Sequence, residues 1–123
     1  QLCSDARIAF VSIDVDYYSS AKECLEIFKW ENSHFLSKVT CYFDDINNID
    51  HNKYCGELLA IDEFNELQLL RKFSRFNQLR NWRLFKNALW LDQMYYLHVF
   101  DSPLRSNIQN KKNITVLSNP FLD

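Results

Sequence analysis

Apolar positions along this chain fall in short bursts, some continuous and some at helical spacing. Ile8 to Ile13, IAFVSI, is a nearly continuous run rich in β-branched residues, the pattern of a short strand buried on both faces. Ser20 with Glu23 three residues on predicts a capping box, after which Ala21, Cys24, Leu25 and Phe28 recur along one helical face. That helix is expected to end near Trp30. ENSHFLSK reads as a loop, and Val39 to Phe43, VTCYF, as a second short strand. Strand, helix and strand in so short a span form a βαβ unit, whose right-handed crossover makes the two strands parallel.

Past this unit the loop INNIDHNKYC leads to Gly56, which serves as the entry to a helix from about Glu57 to Phe73. LRNWRLF predicts a short strand. DQMYYLHVF, Asp92 to Phe100, predicts a stronger one closed by Pro103. The tail 106–123 is polar and rich in asparagine, with ITVL as a possible last strand. The alternation of elements defines an α/β protein with a mixed sheet over residues 1–105. At 123 residues, 47% of them hydrophobic, the chain holds one domain.

Composition removes several functions. The chain has one glycine, Gly56, where average usage gives roughly nine. Neither a dinucleotide fingerprint nor a P-loop can be built from these residues, so a nucleotide-like cofactor needs its glycine turn from elsewhere. No apolar run is long enough to cross a membrane and no signal-peptide layout opens the sequence, so a cytoplasmic location is expected. Cys3, Cys24, Cys41 and Cys55 lack metal or redox spacing and are expected to be reduced packing residues.

Charge is divided along the chain. Residues 1–66 carry 13 acids and 5 basic residues, a balance of −8, and residues 67–123 carry 3 acids and 9 basic residues, a balance of +6. The first half suits a cation and the second an anion. Asp14 and Asp16 follow the first strand, and Asp44 and Asp45 the second, so four carboxylates converge on the sheet edge where open α/β proteins bind ligands. Carboxylates this close repel unless a proton or a cation such as Mg²⁺ neutralises them, whereas ordinary loop acids and helix caps are the alternative. His51, in the loop after the second pair, is a candidate acid or base, and His98 reads as a hydrogen-bonded strand residue. RKFSRFNQLRNWRLFK, Arg71 to Lys86, has six basic residues and no acid among Phe73, Phe76, Trp82 and Phe85. It reads as a solvated helix end and edge strand, with a nucleic-acid or anionic-partner surface as the other reading.

The ordered blocks FVSIDVDYYSSAKECLEIF, VTCYFDDI, YCGELLAIDEFNE and WLDQMYYLHVFDSPL resemble the C-terminal half of class I, Rossmann-like S-adenosylmethionine-dependent methyltransferases. IDVDYYSS followed by DDI is also similar to a motif pair of macrocin-type sugar O-methyltransferases. The resemblance implies a partial three-layer α/β sandwich and metal-assisted O-methylation of a small hydroxyl-bearing molecule. It implies Asp16, Asp44 and Asp45 as ligands of Mg²⁺ or a similar ion, Asp16 also as the base, and Tyr18 near the substrate. Beside these, Asp14 is expected on the cofactor side, and His51, by its place in the loop, near the substrate. The glycine-rich first half of that fold is missing, which is consistent either with a fragment or with a diverged, inactive domain. The sheet edge left open is expected to be covered by self-association or by another chain.

Overall fold

The computed structural model describes residues 6–105; Cys3 and the tail containing ITVL lie outside them. Strand β1 is Ile8–Ile13, as its apolar run predicts. It is not buried on both faces. Ala9, Phe10 and Ser12 are exposed, because among the described residues β1 is the edge of the sheet and pairs only with β2, Phe35–Phe43. β2 begins four residues earlier than its apolar run suggests, since Phe35 and Val39 both enter the core.

Helix α1, Tyr18–Leu25, starts ahead of the expected capping box. The Tyr17 carbonyl accepts the Ala21 N–H at 2.9 Å, which places Ser20 inside the first turn, and no side chain caps the helix. The chain continues as a 3₁₀ turn through Glu26–Lys29, close to the expected end. A second 3₁₀ turn, Asn32–His34, leads into β2. The pairing of β1 and β2 is parallel, Ile13 lying opposite Phe43, as the βαβ reading requires.

Helix α2, Gly56–Leu67, ends six residues short of the expected Phe73. Arg71–Arg75 is strand β3, and helix α3, Gln78–Trp82, occupies the stretch expected as a strand. β4, Met94–Val99, is the anticipated C-terminal strand. It lies between β2 and β3, antiparallel to both, giving the order β1-β2-β4-β3. The protein is therefore a mixed α/β fold with a four-stranded mixed sheet.

Alternation sorts the two faces of that sheet. Val39, Cys41, Phe43, Phe73, Tyr95, Leu97 and Val99 turn toward Ala21 and Leu25 of α1, Phe28 of the turn after it, and Ala60, Ile61 and Phe64 of α2. Phe73 sits amid Phe28, Phe43 and Phe64, with ring centroids at 5.3, 5.6 and 5.1 Å. The opposite face carries Phe10, Ser12, Lys38, Tyr42, Tyr96 and His98, all exposed or half-buried. Helices α1 and α2 thus cover one face of the sheet, while Phe76, just ahead of α3, packs on Tyr96 of the other, their ring centroids 4.0 Å apart.

Candidate functional site

The register of β1 and β2 fixes where the acids meet. Ile13 and Phe43 are partners, and the Asp44 N–H donates to the Ile13 carbonyl at 3.0 Å, so the two strands deliver Asp14 and Asp44 side by side. Tyr42 donates its hydroxyl to Asp44 Oδ1 at 2.6 Å. This bond, with some burial and the charges of Asp44 and Asp14, pushes the Tyr42 phenol up to about 12. Gln93 donates to the Asp44 carbonyl, tying the strand end to the segment that enters β4.

Asp45 opens a 3₁₀ turn, Asp45–Asn47. Its Oδ1 accepts from Asn48 Nδ2 at 3.1 Å, whereas its Oδ2 is buried without a hydrogen-bond partner. The Asp45 N–H donates to Glu57 Oε2 at 3.1 Å. Glu57 is wholly buried in the first turn of α2, and its Oε1 also lacks a partner. Burial raises the Glu57 carboxyl to about 8; the Asp45 N–H opposes the rise, and the charges of Asp45, Asp44 and Asp14 add to it. Glu57 is the member of the site that the sequence reading missed. It shares one helical face with Ala60, Ile61 and Phe64, all core residues, and that spacing was the available signal.

His51 packs on Gly56, the glycine at the start of α2. Gly56 has φ +64°, and a Cβ built there would stand 2.7 Å from His51 Nδ1. Both the backbone conformation and the close approach require glycine. His51 Nδ1 is buried with no hydrogen-bond partner. The loop before α2 is further held by Cys55, whose thiol donates to the Asp50 carbonyl at 2.7 Å.

Two expected members make no hydrogen bond to these acids. Asp16 is exposed on the turn before α1 and makes no hydrogen bond or ion pair among the described residues. Tyr18 donates to Glu63 Oε2 at 2.6 Å, and Lys22 donates to both Tyr18 and Glu63, so the motif tyrosine links α1 to α2. The acids that the structure gathers are Asp14, Asp44, Asp45 and Glu57.

Among the described residues, no group of three or more His, Cys, Asp or Glu side chains is arranged to hold a metal ion by itself. A hydrated Mg²⁺ needs only one or two carboxylates, keeping water in its other positions. Asp45 Oδ2, an acceptor with no donor, beside Asp44 fits that smaller requirement. S-adenosylmethionine fits less well, because Gly56 is already filled by His51 and no other glycine exists to form its turn.

The basic stretch is largely committed to the fold. Arg71 is buried and donates to Asp101, Lys72 donates to the Asn65 carbonyl, and Arg80 pairs with Asp92 at 2.6 Å. Arg75 donates to the Tyr95 hydroxyl at 3.2 Å. Arg83 lies over the Trp90 ring, 5.7 Å from its centroid. His98 shares a 2.7 Å hydrogen bond with Ser74, as expected of a strand residue, and burial lowers its pKa. Cys24, Cys41 and Cys55 are free thiols, Cys41 pushed up to about 12 by burial. Among the described residues, no helix is long and apolar enough to cross a membrane.

In comparisons with known proteins, the chain matches no family model, no curated protein and no solved structure. What stands is a mixed α/β fold with a carboxylate cluster where its two parallel strands end.

Proposed function

We propose that this chain is a methyltransferase-like α/β unit that binds a small hydroxyl-bearing molecule, with a divalent cation, at the carboxyl ends of β1 and β2. The observation that carries this reading is the pair of buried, unpartnered carboxylate oxygens, Asp45 Oδ2 and Glu57 Oε1, beside Asp44 and Asp14. Buried acceptors without donors call for a proton or a cation. The parallel β1 and β2 followed by an antiparallel pair agree with the later portion of a Rossmann-like sheet, and the ligand crevice of such sheets lies at this end. Fold analogy alone would not assign an activity.

In this reading Asp44 and Asp45 hold the ion, and Glu57 holds Asp45 through its backbone N–H. Asp14 completes the negative field. The ion, when bound, supplies Lewis-acid lowering of a hydroxyl pKa. Asp16, exposed and uncommitted, would take the hydroxyl proton as the oxygen attacks the methyl of a sulfonium donor, the O–C bond forming as the S–C bond breaks and the donor leaving as a neutral thioether. A sulfonium donor would be cradled by residues other than these, so this chain by itself supplies the acceptor side of the reaction. The other reading, a nucleic-acid or anionic-partner module, rests on Arg83 and Lys86, since the remaining basic residues of the stretch are bonded internally.

The test is calorimetric titration of the chain with Mg²⁺, alone and with S-adenosylmethionine present. The reading expects ion binding that Asp45→Asn weakens about tenfold or more, with Asp16→Asn leaving it unchanged. Equal affinity in the parent, Asp44→Asn and Asp45→Asn chains would remove the site.

A further inference from the structure

Natural sheet edges are blunted by charge, proline, bulges or a covering element, because an open strand offers unpaired N–H and C=O groups to any other strand. The two edges of this sheet differ in that respect. β3, Arg71–Arg75, has Arg71, Lys72 and Arg75 along its five residues. β1 reads IAFVSI, with no charge and no proline, and Phe10 at its middle is 56% exposed. A register shift between Ile8 and Phe10 is its one irregularity.

Among the described residues the core is also left half-covered on the β1 side. Of the seven half-buried apolar residues that pack against it, Ile8, Val11, Val15, Tyr18, Cys24 and Ile27 all belong to the β1–α1 flank. An open groove of about 690 Å³ runs there, with apolar Val11, Ile13, Val15, Ile27 and Trp30 along it and the acids Asp14, Glu23 and Glu26 at its margin. An edge and a groove together fit a strand that adds to the sheet and brings apolar side chains on its helix-bearing face.

We propose that the occupant is a second copy of this chain, its β1 running antiparallel to the first and joining two sheets into one of eight strands. Charge selects this arrangement. Arg7 precedes β1, and Asp14 and Asp16 follow it. A parallel copy would set acids against acids, whereas an antiparallel copy brings each Arg7 to the acidic end of the other strand, at both ends of the pair. The interface is self-complementary about a twofold axis. It seats the two exposed Phe10 side chains near that axis.

Sedimentation velocity over a concentration series of the full chain, with circular dichroism to confirm folding, reads the outcome. The parent chain is expected to dimerise. Phe10→Lys, which puts two like charges near the axis, should leave monomer, and Arg7→Glu should raise the dissociation constant roughly tenfold. A charge-swap mixture keeps the test decisive even if one variant is poorly folded alone. Arg7→Glu chains mixed with Asp14→Arg, Asp16→Arg chains should form a heterodimer, while neither forms a homodimer. A parent chain that stays monomeric at every concentration would overturn the proposal. So would a dimer insensitive to Phe10→Lys, or a charge-swap mixture with no gain in pairing.

Discussion

The backbone N–H of Asp45 donates to Glu57 Oε2 at 3.1 Å, while Asp45 Oδ2 and Glu57 Oε1 both lie buried with no partner. One hydrogen bond therefore ties Glu57 to the turn that carries Asp45. Burial lifts Glu57 from 4.5 to about 8, with Asp45, Asp44 and Asp14 adding to the rise. In metal-free buffer the native state then keeps a proton that the unfolded chain releases above about pH 4.5. Glu57 contributes stability that is fully present below that pH and is lost as pH rises toward 8, by up to about 1.4 kcal/mol per pH unit. Chemical denaturation at pH 5, 6, 7 and 8 checks this. Glu57→Gln, which cannot release a proton, should flatten the slope; an unchanged slope would show that Glu57 titrates normally.

Gly56 and His51 make a second prediction. Gly56→Ala forces a side chain into φ +64° and against the imidazole. The conformation alone costs about 1–2 kcal/mol, and the 2.7 Å approach to Nδ1 adds to it. His51→Ala in the same chain should recover the steric part and not the backbone part. Thermal unfolding of the two single variants and the double variant separates them.

Phe73 is the ring on which three others converge from β2, α2 and the turn after α1. Phe73→Ala should destabilise the fold by about 3–5 kcal/mol. Phe10→Ala, on the open face at the sheet edge, should cost much less in dilute solution. Denaturant midpoints for the two variants test whether the core lies on the helical face alone.

The sequence carried β1, the βαβ unit and β4 because each rests on a local apolar pattern. It misplaced β3 because Leu69, Leu70 and Phe73 continue the helical spacing of α2, and because a charged residue, Arg71, occupies a core position of the strand. Arg71 is tolerated there by Asp101, thirty residues on, and local spacing cannot reveal such a partner. The helix start was missed for a similar reason. Ser20 and Glu23 have the spacing of a capping box, yet the helix opens earlier through the Tyr17 carbonyl and is anchored by Tyr18 on Glu63. At the site, Asp14, Asp44 and Asp45 follow directly from the strand ends. Glu57 reads as an ordinary acid in the first turn of a helix until its shared face with Ala60, Ile61 and Phe64 is counted.

Asp16 and Asp45 are separated most directly by titration with Mg²⁺ in the parent, Asp16→Asn and Asp45→Asn chains. The account predicts saturable binding in the parent, affinity lowered about tenfold or more by Asp45→Asn, and parent-like affinity in Asp16→Asn. Absence of binding in the parent chain, or loss with Asp16→Asn and not with Asp45→Asn, would contradict it.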